Sequence, residues 1–386
     1  MSLTYPRIHI LLGLLFAFYT FSGTSAAAPI PAPPQITGTS HLLVDFESGV
    51  VLAENNADQR LEPASITKIM TAYAVFRELK EGSVKLTDEV MVSKKAWRMG
   101  GSKMFIEVNK TVSLELLLKG MIIQSGNDAS VALAEHIAGN EETFAALMNT
   151  HATRLGMTNT NFTNSTGWPH PDQYITARDI ALMVAATIRE FPEFYRWYAE
   201  KSMVFNEIKQ HNRNKLLWRD ESVDGMKTGH TEAAGFCLVA SAKRKEMRLI
   251  TIVMGTNSKQ AREKDTQTLL NYGFRFFETH KLYSADEILK QVRIWKGSKE
   301  QLTIGLARDL FVTIPRRQYK KLDAKMNVEA QIIAPVQKGK NMGNVTVSLH
   351  NKTLAEVPLI ALERVDSGGI LHNMKDSALL WLELGK

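Results

Sequence analysis

Ser65 and Lys68, three residues apart in Glu62-Pro-Ala-Ser-Ile-Thr-Lys-Ile-Met70, could do chemistry together. Pro63 stands where a helix would begin, and Ile69, Met70, Ala72 and Val75 carry an apolar face inward. Positions i and i+3 share a helical face, so the two side chains are in reach of each other. A serine hydroxyl is a weak nucleophile until an adjacent base takes its proton. A lysine amine becomes that base once its pKa falls from ~10.4 to near neutrality, which requires about 4.6 kcal/mol. A second ammonium about 6 Å away would supply about 2.8 kcal/mol at an effective dielectric of about 20. Partial burial would provide the rest. Alone, the pair is equally a surface serine and a surface lysine.

Two further short motifs bear on that choice. Ser125-Gly-Asn127 lies between the apolar run 116–123 and a helical pattern from Asp128, and Gly126 permits a tight turn presenting both flanking side chains. The same triplet also reads as a plain helix connection with Asn127 or Asp128 as N-cap. Lys227-Thr-Gly229 follows Asp224-Gly-Met and precedes His230, Thr231 and Gly235. It offers the second ammonium, Lys227, or else a strand end with a solvated lysine.

The elements that must position these groups come from periodicity. Helical patterns cover 64–80, 113–124, 128–138, 141–155, 176–189 and 261–279. His41-Leu-Leu-Val-Asp45 and Gly49-Val-Val-Leu-Ala53 read as a hairpin around Glu47-Ser-Gly, and Ala234 to Ala242 pairs with Met247 to Gly255. Residues 28–286 are therefore expected to form a mixed α/β (α+β) region. Residues 287–364 hold short β-rich runs at Val292–Trp295, Leu310–Ile314 and Val345–Leu349, separated by turn signals, and predict a small all-β sandwich. No repeat of 20–50 residues is present.

Composition narrows the class. The 386 residues are 44% hydrophobic and 23% charged, a globular profile long enough for two domains. One cysteine, Cys237 in an apolar run, excludes an internal disulfide and a cysteine-based zinc site, and reads as a core residue. Ten histidines lack ligand spacing and no Gly-rich loop joins a strand to a helix, so neither metal nor nucleotide is expected. Arg7, the apolar run 8–21 and the small residues 22–28 have the order of a secretory signal peptide, with cleavage after Ala27. The net charge of +7 is uneven: 287–364 carries 14 Lys/Arg against 7 Asp/Glu, whereas 28–286 is neutral. That pattern suggests a basic spacer beside an anionic membrane or wall polymer rather than a nucleic-acid ligand. After Ser367-Gly-Gly369, Ile370, Leu371, Met374, Ala378, Trp381 and Leu382 recur at helical spacing, so 365–386 reads as an interfacial amphipathic helix or as a helix docked on the core.

Together and in this order, Ser65-x-x-Lys68, Ser125-Gly-Asn127 and Lys227-Thr-Gly229 resemble the three motifs of penicillin-recognising serine enzymes. More narrowly, the chain is similar to the low-molecular-mass penicillin-binding proteins, D-alanyl-D-alanine carboxypeptidases of serine peptidase family S11. The likeness extends to Asn212-Arg-Asn214, Val223-Asp-Gly-Met-Lys-Thr-Gly-His-Thr231 and Tyr272-Gly-Phe-Arg-Phe-Phe277. It implies a β-lactamase/transpeptidase-like catalytic domain with an antiparallel sheet and helices, followed by the β-rich domain and a C-terminal membrane-anchoring helix. It also implies removal of the terminal D-alanine from peptidoglycan pentapeptide stems through an acyl-enzyme on Ser65, with β-lactams as covalent inhibitors. Lys68 would be the base, Ser125 and Lys227 would relay or stabilise the proton, and Asn127 would hold the substrate amide. Thr228, helped by Lys227, would bind the terminal carboxylate beside Gly229. The backbone N–H groups of Ser65 and His230 would form the oxyanion hole. The expected location is periplasmic, peripheral on the outer face of the cytoplasmic membrane.

Other positions carry less weight. Arg262 stands where the family has a substrate-site arginine, but as a residue it reads equally as an exposed helix start. Arg213 fits less well, because one residue is missing between it and Lys227. His230 is expected as a wall residue, Asp179 as a helix cap or brace, and Met104-Phe105 as part of a loop bordering the site. The alternatives are a serine β-lactamase, which needs a carboxylate base for deacylation although no glutamate lies between Glu142 and Glu190, and a non-catalytic wall-binding protein.

Overall fold

The computed structural model describes residues 30–384, so the expected leader, 1–27, lies outside the described residues. Five antiparallel strands form a central sheet in the order Val51–Asn55, Ser40–Asp45, Met247–Thr256, Gly235–Arg244, Val223–Thr231. The N-terminal hairpin thus joins a C-terminal meander, with Leu43 opposite Thr251 and Leu238 opposite Val253.

The period of two along these strands sorts side chains to two cores. Ile250, Ile252 and Met254 point to a helical block on one face. Leu249 and Val253 point to Leu269 and Leu270 of helix Lys259–Phe276 on the other. The strands are apolar on both sides because both sides are covered. Inside the helical block runs Lys68–Glu81, whose first nine residues, from Lys68 to Phe76, are all buried. The one-sided face expected from its apolar positions is therefore a helix wrapped on all sides, ended by Gly82 at φ +80°.

Helix Lys259–Phe276 ends sooner than its periodicity predicts and passes straight into strand Phe277–Tyr283, which pairs with Leu310–Pro315. The other strands after Tyr283 form a six-stranded sheet packed on Ile304, Val312, Val345 and Leu359, completing a β-sandwich. Asp45, fully buried, ties the two regions together. Its Oδ1 accepts from the Ser48 amide and hydroxyl, both at 2.8 Å, and its Oδ2 accepts from the Thr279 hydroxyl at 2.6 Å. Thr313 Oγ1 closes the ring, 2.9 Å from Thr279 Oγ1 and 2.6 Å from Ser48 Oγ.

Asp45→Ala leaves buried donors without their acceptor and should cost about 1–3 kcal/mol of stability. Urea unfolding monitored in both regions checks this; an unchanged midpoint would show that the ring is not a tie.

Candidate active site

Ser65 sits on a single 3-10 turn, Ala64–Thr67, that leads into the buried helix. Ala64 takes the left-handed conformation at φ +44°, a strained state for a residue with a Cβ that surrounding contacts must hold. Two glycines make room for that turn. A Cβ on Gly167 (φ +82°) would lie 1.7 Å from the Ala64 carbonyl oxygen, and one on Gly229 would press on Ala64, Ile66 and Pro63 at 3.2 Å. Strand Val223–Thr231 and the loop carrying Thr166-Gly167 therefore close on the nucleophile from two sides.

Lys68 Nζ lies 3.0 Å from Ser65 Oγ, 2.7 Å from Asn127 Oδ1 and 2.6 Å from the Thr166 carbonyl. A neutral amine has two hydrogens and one lone pair. Asn127 Oδ1 and the Thr166 carbonyl can only accept, so they take both hydrogens and leave the lone pair for the Ser65 hydroxyl. The Asn127 carboxamide is oriented for this by its own Nδ2, which donates to the Gly100 carbonyl at 2.7 Å. Burial brings Lys68 down to about 7, against the opposing pull of Asp128 and then Glu141.

Lys227 Nζ donates to Ser125 Oγ at 2.8 Å and to the Thr228 carbonyl at 3.0 Å. Burial holds it well below the ordinary lysine value, and the charges of Lys68, Arg213 and Arg262 add to that. This corrects the expectation that a neighbouring ammonium contributes most of the shift in Lys68. Desolvation is the largest cause at both lysines, and the mutual repulsion of the pair adds to it. The expected role of Gly126 changes too. Ser125 itself takes the left-handed turn (φ +68°), while Gly126 is required because a Cβ there would meet Asp128 Oδ1 at 2.8 Å.

An open cleft of about 920 Å³ lies above these groups. Ser65, Ser125 and Asn127 line its floor, with Thr228, Gly229 and His230 along one wall; Lys68 and Lys227 lie buried beneath. Arg262 also lines it and is 6% exposed, so it is not a solvated helix-start arginine. Its Nη1 donates to the Gly229 carbonyl at 3.3 Å, and burial pulls its pKa down. Arg213 joins the same end of the cleft despite the missing residue, because its charge reaches both Lys227 and Arg262. The His230 ring stacks on Phe236 at 4.0 Å. Phe105, Trp168 and Ile208 form an apolar rim.

Residues missed in the sequence include Trp168, Gln210 and Asp128. Gln210 Nε2 donates to the Met104 carbonyl at 2.9 Å, and Asp128 accepts from the Met104 and Phe105 amides at 2.9 and 2.8 Å. Asp179 braces the 159–160 turn by accepting from the Asn159 amide and Thr160 hydroxyl, while Thr176 caps its helix. Glu141, the carboxylate that faces this region from behind, accepts from the Ser165 amide and hydroxyl and pairs with Lys95 at 3.0 Å. It does not line the cleft.

The profile of the family described as D-alanyl-D-alanine carboxypeptidase matches residues 26–258. That of the penicillin-binding protein 5 C-terminal domain matches residues 277–367. The D-alanyl-D-alanine carboxypeptidase DacC of Escherichia coli K12 is 43% identical over 376 residues, 95% of this chain and 94% of its own. The crystal structure of penicillin binding protein 5 from Haemophilus influenzae has a TM-score of 0.84 at 43% identity, covering 87% of this chain and 100% of that one. Penicillin-Binding Protein D2 from Listeria monocytogenes, solved in its ampicillin-bound form, matches with a TM-score of 0.58 at 28% identity over 62% of this chain and 100% of its own.

Because Lys68 is an ammonium below about pH 7 and a free base above it, the rate of Ser65 acylation should fall about tenfold per pH unit on the acid side and level off on the alkaline side. Stopped-flow acylation by a chromogenic β-lactam from pH 5 to 9 measures this. A flat profile would remove Lys68 from the role of base.

Proposed function

The chain belongs to the D-alanyl-D-alanine carboxypeptidase family, and on that premise we propose that its cleft removes the terminal D-alanine from peptidoglycan pentapeptide stems through an acyl-enzyme on Ser65. The observation that supports this most is the Lys68 amine, whose lone pair is left to Ser65 by two fixed acceptors.

Ser65 Oγ attacks the carbonyl of the penultimate D-alanine as Lys68 takes its proton. The backbone N–H groups of Ser65 and His230 receive the developing oxyanion, where preorganised donors act on charge that forms only in the transition state. The protonated Lys68 disfavours a second ammonium, so Lys227 releases a proton the more readily, and the Ser125 hydroxyl it bonds delivers one to the departing amine. Thr228, with Arg262, Arg213 and Lys227, receives the substrate's terminal carboxylate. Asn127 and the rim hold the acyl side. Once the proton on Lys68 has passed to Lys227, restoring both lysines, water attacks the ester with Lys68 again as base, and Ser65 Oγ leaves with that proton, completing hydrolysis.

A β-lactam, whose strained amide carbonyl would occupy the same position, would acylate Ser65. Fast release of that adduct needs a free carboxylate base. Glu141 is engaged by Ser165 and Lys95, so the β-lactamase reading loses its base. The intact lysine geometry likewise favours an enzyme over a non-catalytic wall-binding protein.

We further place the protein in the periplasm, peripheral on the cytoplasmic membrane. Among the described residues no helix is long and apolar enough to cross a membrane. Helix Ile370–Leu384 instead turns its apolar stripe outward: Leu371 is 84% and Trp381 76% exposed. Its polar Asp376 is buried, accepting from the Lys296 amide at 2.6 Å. A docked helix with solvent-facing apolar residues fits insertion at a bilayer surface, and the +7 charge of 287–364 fits anionic headgroups.

Ser65→Ala should abolish both D-alanine release from a pentapeptide ending in D-Ala-D-Ala and covalent capture of labelled penicillin. Release of D-alanine by that variant at the parent rate would sink the mechanism, and an adduct that turned over as fast as it formed would revive the β-lactamase reading. Deleting 368–386 should free the protein from membrane vesicles with pentapeptide hydrolysis retained. A truncated form that still sedimented with vesicles would refute the anchor.

A further inference from the structure

Asp128, 1% exposed, follows the Ser125-Gly-Asn127 turn and does not serve as its helix cap, since Gly126 holds that position. Its carboxylate is surrounded by backbone N–H groups. Oδ1 accepts from Met104 at 2.9 Å and from Ala129 at 2.9 Å; Oδ2 accepts from Phe105 at 2.8 Å, Met104 at 3.1 Å and Ile106 at 3.3 Å. Three consecutive amides converge there because Phe105 takes the left-handed conformation, φ +69°. Successive N–H groups around such a residue form a concave anion site, and here the anion is the protein's own side chain.

The nest is one end of a longer chain of contacts. The same loop presents the Ser102 carbonyl to the Asn127 amide at 2.7 Å and the Gly100 carbonyl to Asn127 Nδ2 at 2.7 Å. That second bond decides which way the Asn127 carboxamide faces, and Asn127 Oδ1 is one of the two acceptors that leave the Lys68 lone pair to Ser65. A flipped carboxamide would point hydrogens at Lys68 instead. We propose that Asp128 is a positioning residue for acylation: it folds loop 100–106 into a nest and thereby fixes the Asn127 carboxamide in the orientation that directs Lys68 at Ser65. This rests on the serine–lysine reading above.

Asp128 also acts on Lys68 through its charge. From helix Asn127–Ala138 it faces Lys68, as Glu141 does from helix Glu141–Arg154, where Lys95 pairs with it, and as Lys227 does from strand Val223–Thr231, with Arg213 and Arg262 behind. Both carboxylates favour the ammonium form of Lys68. Removing Asp128 therefore has two separable consequences: a slower acylation step, and a base that is freed at lower pH.

The test is acylation of the full-length protein by a chromogenic β-lactam across pH, with the folded fraction taken from thermal melts. Asp128→Asn should lower the plateau acylation rate at least tenfold and move the acid limb to lower pH. A limb that stays in place, or a rate loss equal to the loss of folded protein, would overturn the proposal. Should that variant not fold, Asp128→Glu carries the test: it keeps the charge but displaces the carboxylate by one methylene, so the plateau should fall while the limb stays near the parent's. A parental plateau in Asp128→Glu would overturn the positioning role. Phe105→Ala, which trims the rim and leaves the loop amides in place, should leave the limb unmoved; a limb that moved as far as in Asp128→Asn would equally overturn it. Covalent capture by Ser65, lost in Ser65→Ala alone, distinguishes failure of the underlying enzyme reading from failure of this one.

Discussion

Two lysines share one desolvated site, and an ammonium on either disfavours one on the other. Bringing Lys68 from the ordinary lysine range to about 7 corresponds to about 5 kcal/mol of destabilised charge. The fold must supply that by excluding water without supplying a compensating salt bridge. Neither lysine touches a carboxylate. Their partners are a hydroxyl, a carboxamide oxygen or a backbone carbonyl, neutral acceptors that stabilise an ammonium less than a paired carboxylate would. The buried helix from Lys68 to Phe76 offsets the cost with apolar packing on every side.

The same constraint explains where the glycines stand. Excluding water from a lysine pair requires the nucleophile turn, the edge strand and the Thr166 loop to meet without intervening side chains. Gly229 and Gly167 are the two positions where a Cβ would hold those segments apart. Conformational permissiveness matters at Gly167, which has positive φ; at Gly229 it is only the missing side chain that counts. The cleft is thereby dry below and open above, with two arginines and an apolar rim in its lining.

How much of this was readable in the sequence depends on what each residue bonds. Ser65 and Lys68 are neighbours by helical spacing, so their contact follows from the sequence alone. Asn127, Ser125 and Lys227 are 57 to 159 residues from Lys68 along the chain, and only the resemblance of three ordered motifs brought them together. Asp128 was out of reach because its partners are backbone amides, which leave no mark on side-chain pattern. Asp45 was hidden for a related reason: as a strand-end aspartate beside a turn it looks solvated, and only the return of the chain at Thr279 and Thr313 buries it. The weight given to a second ammonium failed differently, since spacing shows which charges can meet but not how much water remains between them.

The uneven charge of the chain follows from this division of labour. A site in which Lys68 must still take a proton and Lys227 must still hold one is weakened by surplus positive charge nearby, because each added cation lowers both further, as Arg213 and Arg262 already do to Lys227. Residues 28–286 carry no net charge, and the basic excess lies in 287–364, where the catalytic lysines are screened from it beyond about a Debye length of 8–10 Å. There it sits beside helix Ile370–Leu384, whose buried Asp376 holds the Lys296 amide and leaves the apolar stripe facing out. Placing surface-seeking charge and apolar area on the second domain lets the first keep the electrostatics its base requires.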